Sequence, residues 1–238
     1  MLHLKNSSDL NRKMAKDILR QSRILASGMN LILRDCRVSK KYIEFDTTIP
    51  QSSLDELIEK LSSIGPLDHA KHVIEEIVEK EEAISEGISY FNNERFWECH
   101  EILEGVWKNC DGNEKFLVQG LILVAAGLVH YQKDEDPICL SIFNRALEKL
   151  ENSDGQYHNI DIDKIKKTVS EMINSSKSDS EIVVSNSIYF FDTLQSRKIK
   201  FIPDARTRDF RKMSFAILRF RSDEFWRWSI YRSMTIVD

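Results

Sequence analysis

Residues 116–129 constrain this chain more than any other stretch. They form a run of about 14 mostly apolar residues broken by Gln119. A helix needs roughly 20 such residues to cross a bilayer, so the run reads as a helix buried inside protein and not as a membrane span. A helix that is apolar all round has to be covered on every side. The segments around it have the right period to do so. Ile84 and Ile88 belong to an acidic helix starting near Ile74 and ending near Phe91, and residues 94–109 form a second helix. Residues 114–132 form the third, and Ile138, Ile142, Ala146 and Leu150 mark a fourth. Asn92-Asn93 and residues 110–113 punctuate them, and Asp136-Pro137 reads as an N-cap followed by Pro at the first helical position. A fifth amphipathic helix covers residues 162–173, and residues 175–180 read as a polar linker. Only eight Gly and four Pro occur in 238 residues, which favours long uninterrupted elements.

The first 73 residues have a different period. A helix over 9–26, capped by Ser8 or Asp9, precedes strands over 29–38 and 42–49. In the second strand Ile43, Phe45, Thr47 and Ile49 alternate with Tyr42, Glu44, Asp46 and Thr48, placing the first set on a buried face. The short link 39–41 makes the pair an antiparallel hairpin. Ser53 and Glu56 form a capping box ahead of a helix on Leu54, Leu57, Ile58 and Leu61, and residues 67–73 add a short strand. The fold class is therefore α+β and helix-dominated: a small αββαβ unit, half of a ferredoxin-like fold, followed by an antiparallel helical bundle. The expected domains are 1–73, 74–175 and a basic aromatic extension, 176–238, in which residues 213–232 read as helical.

The bulk numbers exclude some classes. Residues 1–13 have no apolar signal core. The four cysteines have no CxxC spacing and read as small buried groups in a reduced, cytoplasmic protein. Between residues 195 and 232, eleven Lys/Arg face four Asp/Glu. That segment carries +7 in a chain of net charge −4, leaving −11 on the rest. Its cations interleave with Phe201, Phe210, Phe220, Trp226 and Trp228, a composition that can neutralise phosphates and stack bases. No helix-turn-helix or RNA-recognition signature accompanies it, and packing of these aromatics onto the acidic body is the favoured reading.

The densest chemistry lies in residues 91–107. On a helix Trp97, His100, Glu104 and Trp107 form one stripe, with Glu101 beside it. The next helix is antiparallel and presents Gln119 and His130, 11 residues or about three turns apart. Two readings stay open. His100, Glu104 and His130 can hold one divalent metal ion while Glu101 acts as general base. Alternatively the same groups pair as a buried polar network that sets helix register. HExxE is not the HExxH zinc signature, and the tryptophans crowd the site. A third reading is an interaction module that offers its hairpin to a protein partner or to a second copy.

The same residues resemble a family, the domain of unknown function 309. Matching positions are Asn92 or Asn93, Phe96, Trp97, His100, Glu101, Glu104, Trp107, Gln119, Gly120, Leu121, Ile122, Ala125, Ala126 and His130. The resemblance covers about 70 residues and implies a compact helical bundle with predicted metal-dependent hydrolase character. The chain departs from the pattern at Leu123, where a second Gln is usual, and again after His130. Residues 34–46 resemble an N-terminal extension of archaeal members.

Overall fold

The computed structural model describes residues 1–72 and 78–179, with side chains to residue 176. The expectations placed on residues 182–232, including the nucleic-acid interface, lie outside these residues, as does the expected helix start near Ile74. All described residues belong to one compact unit, Met1–Leu194.

Strand β1 (Leu2–Lys5) opens the chain, followed by a 3-10 turn (Arg12–Met14) and helix α1 (Ala15–Leu25). The hairpin β2 (Ile32–Val38) and β3 (Tyr42–Thr48) leads through another 3-10 turn (Gln51–Ser53) to α2 (Leu54–Leu61) and β4 (Leu67–Ala70). The bundle is α3 (Lys80–Asn92), α4 (Phe96–Lys108), α5 (Gly112–Gln132) and α6 (Asp136–Leu150). A two-residue hairpin, β5 (Gln156–Tyr157) and β6 (Ile160–Asp161), introduces α7 (Ile162–Asp179). The helix-dominated α+β class holds. Helix α7 continues through residues expected to form a linker, with Ser175 and Ser176 back-bonding to Met172 and Ile173.

The N-terminal unit is βαββαβ and not αββαβ. Strand β1 completes it, and the sheet order β2-β3-β1-β4 with every pair antiparallel is the full ferredoxin-like arrangement. The expected capping box is absent. Ser53 ends a 3-10 turn at φ −105°, ψ 1°, short of the extended ψ from which a cap side chain reaches the helix amides, and it makes no side-chain cap bond.

One sheet face is apolar. Leu2, Leu4, Leu33, Cys36, Val38, Ile43 and Phe45 pack with Ile18, Leu57 and Leu61 from α1 and α2. The opposite face carries the alternate residues, and these are polar. It is nevertheless covered, because α4 comes to lie against it. His3 and Glu44 are 0% exposed and Arg37 1%. Sheet and bundle are tied again at Arg12. Its guanidinium reaches both carboxylate oxygens of Asp136, donates to Asp134 at 3.0 Å and lies 4.2 Å from the Tyr131 ring.

Helix α5 extends the apolar run at both ends. At 21 residues it is long and apolar enough to cross a membrane by length and composition, yet 61% of its most apolar window is buried within the protein. Every residue from Val118 to His130 is buried. Gly120 and Gly127, two turns apart, let α6 come close: Leu150 and Phe143 occupy the space where their Cβ atoms would stand.

Candidate functional site

Helix α4 carries the candidate site's side chains on two faces. Its apolar residues Phe96, Cys99, Leu103 and Val106 are buried, so register on the bundle is set by packing. His100, Glu101 and Glu104 then project together. One ligand atom from each lies within 4.8 Å of the others. His100 Nδ1 is 3.4 Å from Glu101 Oε1, too far for a good hydrogen bond, and has no hydrogen-bond partner although His100 is only 7% exposed. Glu101 is 39% exposed, so the cluster opens to solvent on the carboxylate side. Trp97 stacks on the His100 ring with centroids 5.8 Å apart and planes 15° apart. Trp107 is partly buried, with Lys115 Nζ 4.7 Å from its ring.

His130 is not among the ligand atoms gathered there. It is buried near the end of α5, and its Nδ1 lies 2.6 Å from Glu135 Oε2. Burial pushes the Glu135 carboxyl up, but His130 and Lys133 outweigh this and hold it below its usual range. Lys133 also reaches Asp35 of β2 at 3.0 Å, so His130 belongs to a network that ties bundle to sheet. Gln119 is buried on α5.

A second cluster sits on the other face of α4 and draws on four strands. Cross-strand register places Arg37 opposite Glu44, Glu44 opposite His3, and His3 opposite His69, so one row crosses the whole sheet. Glu98 of α4 closes over it. His3 Nε2 is 2.9 Å from Glu98 Oε1 and His3 Nδ1 3.4 Å from Glu44 Oε1. Arg95 donates to Glu98 Oε1 at 2.6 Å and Arg37 Nε to Glu44 Oε2 at 3.2 Å. The approaches to His3 are ion-pair contacts off the hydrogen-bonding direction. Both His3 nitrogens, Glu44 Oε1, Glu98 Oε2 and His69 Nε2 are buried without a hydrogen-bond partner. The His3 and His69 rings stack with centroids 4.1 Å apart, and Asp68 Oδ2 lies 2.8 Å from His69 Nδ1. Arg37 lies 5.1 Å from the Trp97 ring, so Trp97 stands between the two clusters.

The charges here shift one another. Burial alone lowers the His3 pKa, yet the carboxylates of Glu44 and Glu98 overcome it and the net direction is up. Burial pushes Glu98 up, but His3 and Arg95 hold it far below the ordinary carboxylate range. His69 is lowered, by burial first and by the His3 charge second.

Sequence reasoning missed this cluster because its members lie at positions 3, 37, 44, 69 and 98. The one available signal was the alternation of the β2–β3 hairpin, which placed Glu44 on the face opposite the apolar one but could not say what covers it. An open depression of about 430 Å³ lined by residues including Arg23, Gly28, Met29 and Leu33 shares no residue with either cluster. The Arg23 guanidinium there is held by the carbonyls of Leu33 and Arg34.

Residues 84–141 match the model of the family described as Domain of unknown function (DUF309). The match covers α4 and α5 with most of α3 and the start of α6, hence both clusters' helical residues but none of the sheet. No curated protein matches the chain.

Proposed function

We propose that the protein binds one divalent metal ion through His100, Glu101 and Glu104 and uses it as a hydrolase. The observation that supports this is the convergence of three ligand atoms within 4.8 Å, one of them on a buried imidazole nitrogen with no hydrogen-bond partner. A mixed imidazole and carboxylate set suits zinc, manganese or ferrous iron. Three protein ligands leave coordination positions for water, and a divalent ion lowers the pKa of that water enough to supply hydroxide near neutral pH. Glu101, on the solvent side, would complete the ligand set where the cluster opens to water. His130 acts at a distance, through its Glu135 pair, in holding the α5 end. The four free cysteines are buried thiols, which suits a reducing cytoplasm.

The test is metal content and metal-dependent hydrolysis of generic p-nitrophenyl ester and phosphate substrates, wild type beside His100→Ala and Glu104→Gln. The expected result is loss of one metal equivalent in each variant, with hydrolysis down at least tenfold. Equal metal content in wild type and His100→Ala refutes the site. Metal loss without any metal-stimulated turnover in the wild type refutes the hydrolase and leaves a metal-binding module.

A further inference from the structure

We infer that His3, His69 and Glu98 form a second, separate divalent-metal site of two histidines and one carboxylate, where strands β1 and β4 meet helix α4. One ligand atom from each lies within 4.8 Å of the others. His3 is fully buried and both of its ring nitrogens lack a hydrogen-bond partner, as does Glu98 Oε2. Leaving several such groups unsatisfied in a native core is costly, and one ion would take up His3 Nε2, His69 Nε2 and Glu98 Oε2 together.

Each ligand has a neighbour that selects which of its atoms is left for an ion. Asp68 engages His69 Nδ1 and leaves Nε2, itself buried and without a hydrogen-bond partner, as the coordinating atom. Such a carboxylate behind a histidine fixes its tautomer and raises its basicity as a ligand. Arg95 occupies Glu98 Oε1 and leaves Oε2. Glu44 stands behind His3 Nδ1 and is itself held by Arg37, so His3 Nε2 is the atom turned toward Glu98. His69 and Asp68 are 30% and 28% exposed and provide the way in, while His3 and Glu98 close the inner side.

The donor set selects a first-row transition ion over magnesium or calcium, which prefer all-oxygen shells. One feature defines its behaviour. Parallel rings 4.1 Å apart cannot both point a nitrogen at one ion about 2.0–2.1 Å away, so binding splays the His3–His69 stack.

The experiment is titration of the full chain with Co²⁺, followed by visible ligand-field absorption and by the hyperfine-shifted imidazole N–H resonances. Wild type, His69→Gln, Asp68→Asn and His100→Ala are compared, each checked for native far-UV circular dichroism. His69 lies on an edge strand and is partly exposed, so its removal leaves the buried core in place. The expected result is one Co²⁺ equivalent that persists in His100→Ala, disappears in His69→Gln, and binds about 10–100-fold more weakly in Asp68→Asn, the usual effect of losing a ligand-orienting partner. Co²⁺ bound equally by wild type, His69→Gln and Asp68→Asn overturns the proposal, as does loss of all Co²⁺ binding in His100→Ala. Because His100→Ala tests the α4 cluster and His69→Gln the sheet cluster, either site can fail without the other.

Discussion

Replacing Gly127 with Ala tests whether this glycine of α5 is there to let α6 approach. An added Cβ would lie 2.4 Å from Phe143 Cε1 and 2.6 Å from Cδ1. Carbon atoms rest at about 3.5–4.0 Å, so the ring must withdraw by roughly 1 Å. Phe143 is 0% exposed and sits in the α5–α6 seam, leaving no direction of easy retreat. Overpacking of this kind costs about 1–3 kcal/mol. Ala regains about 0.8–1 kcal/mol of helix propensity over Gly, so the net loss is about 0–2 kcal/mol. Gly105 on α4 is the control. Nothing lies within 4 Å of its would-be Cβ, so Gly105→Ala makes the same chemical change in open space. It should stabilise by about 0.5–1 kcal/mol. Urea unfolding at constant m-value reads both. At about 2–4 °C per kcal/mol, Tm should fall by up to about 8 °C at position 127 and rise by about 1–4 °C at 105. Stabilisation by Gly127→Ala equal to that by Gly105→Ala would refute the claim that α6 occupies that space.

Three further outcomes follow from the charges and thiols. Metal-free protein gains stability from Glu98 above its ordinary value of 4.5, lost as pH falls, because its folded pKa is depressed. It gains stability from His3 fully below 6.5, lost as pH rises through the raised folded value, so the two contributions are both complete between 4.5 and 6.5. Urea midpoints measured from pH 4 to 9 should show the alkaline decline flattened in His3→Gln, and an unchanged decline there contradicts the assignment. Arg12→Ala removes paired contacts to Asp134 and Asp136, and should cost about 1.5–3 kcal/mol in thermal or urea unfolding. A loss under 0.5 kcal/mol would show that the sheet–bundle tie is redundant. Cys36, Cys99 and Cys139 are buried and their thiols pushed well up by burial, so a disulfide reagent at pH 8 should label them only after denaturant is added. Rapid labelling of all three in buffer would contradict this packing.

Some of this was legible in the sequence for local reasons. The circumference of α5, apolar from Val118 to Val129 apart from Gln119, required a bundle, and the Asn, Asp and Pro punctuation located its turns to within a few residues. His100, Glu101 and Glu104 were legible as neighbours because helical spacing alone brings them together. His130 was placed on a plausible face, but the turn after α5 decides its partner. Asp134 adopts a left-handed φ of 62°, and Glu135, following it, comes to Nδ1 of His130. Strand β1 went unseen because Leu-His-Leu-Lys is too short to show a period. It is a strand because β3 and β4 supply hydrogen bonds on both sides.

Local periodicity by itself therefore determined the helices of the bundle and the β2–β3 hairpin, that one face of that hairpin is apolar, and that α4 carries a His/Glu stripe. Only the tertiary structure decided that the polar face of the sheet is buried too. Alternation assigns residues to two faces but does not say what covers each. Once α4 covers the second face, Arg37, Glu44 and His3 lose water together, and Glu98 and the half-buried His69 are brought to them. Five residues spread from position 3 to position 98 then become one charged cluster. Contacts of that range depend on the docking of whole elements, and no spacing along the chain encodes them.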